Sequence, residues 1–595
     1  MKIVVSGILF VLFLVSVFTG AFNVQSAKVN ASSRGESVQV AGTDWWPMFH
    51  HDPSHTGTST STGPTTNNTL WNYTTGGWVL GCAVSDGFVY AGSHDFKIYC
   101  LKAATGALVW NYTTGDIVWS CPAVVGGFVY VGSNDRKVYC LNATTGALVW
   151  NYTTGDAVES EVAVVDGLVY VGSLDKAVYC LNATTGTLVW SYTTGGVIID
   201  CPAVVGGLVY VGSGDWNIYC LNATTGTLVW SYTTGSGVDS RPAVVGGLVY
   251  VGGLDWKVYC LNATTGALVW NYTTGNYVDS SPAVVGGLVY VGSWDWNVYC
   301  LNATTGALVW NYTTGGVVWG SSPAVAGGFV YVGSNDTKVY CLNAVTGALV
   351  WNYKTGGLPG NPAVVDVVYV GSEDGVVYAF GEPVAVSLSP SSGIMDVGQS
   401  QQFTSTASGG TSPYTYQWYL NGTAISGATS STYTFTTTSR GHYNVYVNVT
   451  DNVGIAATSN TATVTVNNTP SVTISPTSVT MNLGQSQLFN SSITGGTSPY
   501  TYQWYFNDVS VSSATSDSWT FTPTSTGSYT VHLNVTDNVG VIAISPATDV
   551  TVSPAIPEFQ LLFFLPLFMI ATLLSAILLR RKKHLTANRD LRRDK

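Results

Sequence analysis

Charge is scarce in this chain: Asp, Glu, Lys and Arg together make up 9% of 595 residues, against about 25% in ordinary globular proteins. Long exposed helices, which draw on Glu, Lys and Ala, are excluded by that scarcity. Disorder is excluded as well, because a disordered chain combines low hydrophobicity with high net charge and this one is 46% hydrophobic and 12% aromatic. The few cations are misplaced for nucleic acid. Eight of the 21 Lys and Arg residues fall within 580–595, leaving an acidic body that phosphate would not approach. Motifs of catalysis are missing too: no Gly-x-Ser-x-Gly, no His-Glu-x-x-His, no phosphate-binding loop. The ten cysteines contain no Cys-x-x-Cys and no Cys/His spacing of a zinc site, so no metal and no cofactor is expected. What the chain has in quantity is Val, Thr, Tyr, Trp and 66 glycines, the materials of strands and tight turns.

The two ends read differently from the body. Met1-Lys2, an apolar run from Ile3 to Phe22 and small residues near Val24–Ala27 form a secretory signal over 1–27. Leu561 to Leu579 is uncharged and is followed by Arg580-Arg581-Lys582-Lys583. This predicts a membrane-spanning helix over 561–579 and a basic tail over 580–595. The protein is then single-pass in the cell membrane, with its body extracellular and its C-terminus cytoplasmic. Pro557-Glu558-Phe559, just before the run, resembles the Pro-Glu-Phe sorting signal of archaeal surface proteins.

Between the ends lies a repeat. Trp71, Trp110, Trp150, Trp190, Trp230, Trp270, Trp310 and Trp351 recur every 39 to 41 residues, with a Val-Tyr-Val/Ala-Gly tyrosine in step. Each unit holds four short apolar runs separated by Gly, Asn and Asp turns, which predicts four antiparallel strands, A to D, and a propeller. The first tryptophan segment, Leu70 to Thr75, is a lone strand D, and the last unit, Pro362 to Phe380, lacks one. Joining them predicts an eight-bladed β-propeller over 70–381, its ring closed by the N-terminal strand, preceded by a lead-in segment over 28–69. Closure removes exposed sheet edges.

Cys140-Leu-Asn142-Ala-Thr-Thr145-Gly146-Ala-Leu-Val-Trp150, repeated in the units ending at Trp110, Trp190, Trp230, Trp270, Trp310 and Trp351, resembles the tryptophan-docking motif of quinoprotein-type propellers built from pyrroloquinoline-quinone-like repeats. The resemblance implies that each repeat tryptophan packs on the neighbouring blade. Where that motif has Ala, seven blades here carry Cys (Cys100, Cys140, Cys180, Cys220, Cys260, Cys300 and Cys341) and the eighth has Ala379. A small buried apolar site is implied, hence free thiols. Cys82, Cys121 and Cys201 start strand A and are read as structural. The related quinone dehydrogenases use calcium, an axial quinone and often a disulfide between adjacent cysteines; no two cysteines are adjacent here.

Compared with one another, the repeats keep the A–B and C–D turns and vary the D–A and B–C loops, which share one face of the ring. That face is the predicted ligand-binding surface: Trp119, Asp200, Trp216, Asp239, Arg241, Trp256, Asp279, Trp294, Trp296 and Trp319. Tryptophan beside carboxylates suits sugar rings and protein hot spots equally, and drift after duplication is the competing explanation. The constant Asp of the B–C turn (Asp135 and its equivalents) reads as a turn former. His50-His51-Asp52-Pro-Ser-His55 reads as packed lead-in, with a metal site as the alternative.

Beyond Pro383, Trp418 and Trp504 head two copies of a second unit about 85 residues apart. They predict two β-sandwich modules over 384–467 and 470–552, resembling PKD or related immunoglobulin-like modules of surface proteins. Sequons such as Asn111-Tyr-Thr and Asn448-Val-Thr are frequent, so the chain is expected to be a glycoprotein. The sequence as a whole predicts an all-β, non-enzymatic cell-surface binding or adhesion protein. Its propeller head is displayed on a two-module stalk, and its partner is a cell-envelope glycan or protein. A quinone-dependent dehydrogenase and a structural envelope or assembly scaffold are the alternatives.

Overall fold

The computed structural model describes residues 44–555 and 564–587. The proposed signal over 1–27, the sorting motif at 557–559 and the last eight residues lie outside them. Eight sheets form the propeller, each with four antiparallel strands, and the sheet of blade 7 gains a short parallel fifth strand, Thr58–Ser59, from the lead-in. Blades 1 to 7 span 82–113, 123–153, 162–193, 203–233, 243–273, 283–313 and 324–354. Blade 8 combines Ala363–Val364, Val368–Gly371 and Val376–Phe380 with Thr69–Thr74, whose Trp71 sits opposite Ala379. The first strand D therefore completes the last blade.

One contact is repeated at every blade boundary. The strand-B tyrosine and the strand-D tryptophan of one blade both donate to a single carbonyl in the C–D turn of the next. Tyr250 Oη and Trp270 Nε1 meet Ala303 O at 3.2 and 2.9 Å. The indole lies flat on the turn glycine: a Cβ on Gly306, whose φ is +70°, would stand 2.7 Å from the Trp270 ring. Only glycine fits there, both for its backbone and for the space. Blade 8 has no C–D turn, because its strand D comes from elsewhere. Trp351 and Tyr331 of blade 7 turn instead to Pro64 O in the lead-in, at 3.3 and 3.0 Å. Trp71 and Tyr369 then close the circle on Ala103 O of blade 1.

The lead-in lies inside the ring. Its carbonyls accept from the innermost strands in succession: Trp46 O from Val84, Pro47 O from Val124, Pro53 O from Val204, Ser54 O from Val244, Thr56 O from Val284 and Gly57 O from Val325. Six inner edges thus find partners for amides that the channel would leave bare. The histidines belong to this packing. His50 stacks on Phe49 at 4.5 Å, and His55 bonds Pro242 O. Burial holds their pKa values down at about 3 and about 4. His51 is half-buried, but Asp44 and Asp52 outweigh the desolvation and push it up to about 9. Among the described residues no cluster of His, Cys, Asp or Glu has the form of a metal site. All ten cysteines are free and buried, and burial pushes Cys140 and its strand-C equivalents up to about 12.

Each C-terminal module is a sandwich of a three-stranded and a six-stranded sheet around a fully buried tryptophan, Trp418 or Trp504. At their junction Thr497 Oγ1 donates to Asp396 of the first module, while the Thr497 amide donates to Asp537 of the second.

The membrane-spanning helix over 561–579 is overturned, and with it single-pass anchoring in the cell membrane. Residues 561–563 are outside the described set, and the helix runs Phe564–Ala587. Its apolar part ends at Leu579, 16 residues in, and would cover about 24 Å of the roughly 30 Å of bilayer hydrocarbon. Four consecutive cations then continue the same helix. No helix among the described residues is long and apolar enough to cross a membrane.

Candidate axial site

The residues at the start of strand A surround the channel axis, six of the eight lining the axial cavity, and the D–A loop before each forms the rim. The residues at the start of strand A are Gly81, Cys121, Glu161, Cys201, Arg241, Ser281, Ser322 and Asn361. Several tie one blade to the next. The Arg241 amide donates to Ser281 Oγ, Ser281 to Ser322 Oγ, and Ser322 to Asn361 Oδ1, at 2.8 to 3.1 Å. Two blades apart, Arg241 reaches across to Glu161 with Nε and Nη2 at 3.0 and 2.9 Å from the two carboxylate oxygens. The guanidinium lies 5.3 Å from the Phe49 ring, so the ion pair rests on the lead-in. Above it opens a cup of about 280 Å³, lined by Trp119, Glu159, Asp239, Asp279, Trp319 and Glu373 among others.

The predicted face divides into three. Trp119, Asp239, Arg241, Asp279 and Trp319 line the cup. Trp294 is half-buried behind Trp319, with ring centres 6.2 Å apart, and also touches Tyr277. Trp216, Trp256 and Trp296 stand on the B–C turns of three successive blades, 53, 47 and 51% exposed, and line no part of the cup. Asp200 is not on the surface at all: it is fully buried. The constant B–C aspartates are internal ties. Asp295, for example, accepts from Gly275 N and Tyr299 Oη.

Glu159, Glu161 and Glu373 were not among the predicted site residues. For Glu161 a signal existed: it occupies the same repeat position as Arg241, where other blades carry small residues. An acid and a base at equivalent positions of a closed ring face the same axis.

Asp200 is the second irregular position. In its place blades 3, 5, 6 and 7 have Ser160, Ser240, Ser280 and Ser321, each accepting the amide of a strand-B glycine. Asp200 has no hydrogen-bond partner for either oxygen. Burial pushes its pKa well up, although Arg241 pulls the other way. The folded state thus holds a proton that the unfolded chain releases above its ordinary pKa near 4, and stability is lost as pH rises from there. Asp200→Ser is expected to stabilise by about 1–3 kcal/mol at neutral pH. The gain should shrink below about pH 4. Thermal unfolding of the two proteins at pH 7.5 and 3.5 measures both, and a loss of stability at pH 7.5 would refute this account.

The fold and repeat chemistry define a propeller of pyrroloquinoline-quinone-like repeats carrying two PKD domains. The model described as outer membrane protein assembly factor BamB matches residues 55–160, 137–238, 214–318 and 295–383, and the PKD model matches 385–466 and 471–550. More than half the chain is covered by the first, and the protein belongs to that family. Of solved structures, BamB from Moraxella catarrhalis is 22% identical, with 53% of this chain aligned to 99% of that one at a TM-score of 0.48. A quinohemoprotein alcohol dehydrogenase from Pseudomonas putida is 16% identical, with 57% aligned to 80% and a TM-score of 0.50. At these identities the likeness concerns the fold alone. No curated protein matches the chain.

Proposed function

We propose that the protein binds a ligand through the D–A and B–C face of its propeller and does not turn it over, the ligand being a cell-envelope glycan or protein. One observation carries this reading. Trp216, Trp256 and Trp296 have φ values of +70 to +74°, a region that costs a bulky residue roughly 1–2 kcal/mol. Phe96, Arg136, Lys176 and Thr337 hold the same turn position in blades 1, 2, 3 and 7, also at positive φ, and blade 8 has Gly375 there at +77°. The strain therefore belongs to the turn, and bulk and exposure set the three tryptophans apart. Large aromatic side chains, half exposed and strained, on three successive blades are the mark of a surface kept for contact. Such rings stack on sugars and anchor protein interfaces alike.

The test replaces each with the residue that blade 8 uses. The triple variant Trp216→Gly, Trp256→Gly, Trp296→Gly is expected to lose at least tenfold in binding on an array of envelope glycans and proteins. Its melting temperature should stay unchanged or rise. Undiminished binding by a well-folded triple variant would end this reading.

A further inference from the structure

Resting on that reading of the face, we propose that the axial cup takes an organic cation: an ammonium or guanidinium group, carried by a small amine or by a Lys or Arg side chain of a partner protein. Besides Glu161, four carboxyl groups line it, Glu159, Asp239, Asp279 and Glu373, contributed by four different blade positions around the rim. None has an ion pair among the described residues, and the one cation in the cup, Arg241, is committed in bidentate fashion to Glu161. Burial raises the pKa of all four, Asp279 to about 6. Carboxylates in that condition are short of a counter-charge, and in a recess of low dielectric an arriving cation interacts with them strongly. Asp279 is half-buried, and its Oδ1, which is shut off from solvent, has no hydrogen-bond partner.

The walls say which kind of cation. Trp119 and Trp319 stand in the cup beside the acids, and Trp faces attract ammonium and guanidinium groups when these are partly desolvated. The carboxyls are spread around a rim rather than converged on a point, and no cluster with metal-site form is found among the described residues. A cup of about 280 Å³ is at the lower limit of ligand pockets and suits a single side chain or a short amine. Arg241 over Phe49 already shows a guanidinium held against an aromatic ring and a carboxylate in this channel.

Binding would be coupled to deprotonation. The titratable groups facing the cup are Cys121, Glu159, Glu161, Asp239, Arg241, Asp279 and Glu373, with Asp200 buried behind; burial holds the Cys121 thiol protonated. Affinity should therefore rise between pH 5 and 7.5 as Asp279 ionises.

The experiment is calorimetric titration of the full chain with agmatine, cadaverine and a capped peptide bearing one Lys or Arg, with 1,5-pentanediol and Ca²⁺ as controls. Saturable one-to-one binding of the cations is expected. It should be at least fivefold tighter at pH 7.5 than at pH 5. Asp239→Asn/Asp279→Asn, and separately Trp319→Leu, should each weaken it at least tenfold. A peptide that binds more tightly than the amines identifies a protein partner; the reverse identifies a small amine. Absence of binding by all three cations, equal binding by both variants, or Ca²⁺ binding in place of the amines overturns the proposal. Because Trp216, Trp256 and Trp296 lie outside the cup, their glycine variants still report on the face as a whole if the cup proves empty.

Discussion

Trp270→Ala is expected to destabilise the propeller by about 3–5 kcal/mol, the range for removing a large buried aromatic. The indole is 8% exposed, lies against Gly306 of the next blade and donates to Ala303 O. Alanine would leave a cavity at the blade boundary and remove one of the two donors to that carbonyl, with Tyr250 remaining. Trp256→Ala, fourteen residues earlier on an exposed turn, is expected to fall within about 0.5 kcal/mol of wild type. The two variants carry the same chemical change, so denaturant unfolding of the pair isolates position as the cause. Equal losses would mean that the turn tryptophans are packed and the docking ones are not special.

A loss of about 3–5 kcal/mol is likewise expected for Glu161→Ala. Glu161 is 3% exposed, and its removal leaves the Arg241 guanidinium on the channel axis with Phe49 below it and without its bidentate partner. The cost comes from the cation left behind, so the effect should be non-additive. Glu161→Met/Arg241→Met should recover most of the stability, since replacing both partners by apolar groups of similar volume is often neutral. A double variant as unstable as the single one would show that the pair fastens blades 3 and 5 by more than charge.

Much of the architecture is written in one periodic signal. The tryptophan spacing, the orphan strand before the first unit and the missing strand after the last identify the blades and their closure, because a docking contact repeated at every boundary imposes the same residues at the same interval. The family resemblance adds the direction in which each indole points. Other features leave no periodic trace. That the lead-in threads the channel depends on its carbonyls, which any sequence supplies. The positive φ of Trp216 and its equivalents is hidden because tryptophan is the wrong residue for that backbone, and only Gly375 in the last blade betrays it. Asp200 reads as a surface acid beside Asp239 and Asp279, yet it stands one residue nearer strand A, at the serine position, where the side chain is swallowed between blades. The apolar C-terminal run reads as a span by composition. Among the described residues, however, the helix runs from Phe564 on through Arg580 to Lys583.

Ring closure by Thr69–Thr74 carries a consequence for how the chain comes into being. The strand that fastens blade 8 is made before every other strand of the eight blades, and its partner, Val376–Phe380, emerges some 300 residues later. Bringing the ends of so long a loop together costs about 5 kcal/mol, a cost met at a single seam while the other boundaries join neighbours in sequence. The lead-in changes that problem. Residues 46–57, also made before the blades, bond blades 1, 2, 4, 5, 6 and 7, so six of the eight blades meet a shared core strap as they emerge. The N-terminal segment thus serves as both axle and clasp. A chain deprived of residues 44–74 would keep seven sets of four strands yet lack the part that tells them where the circle ends.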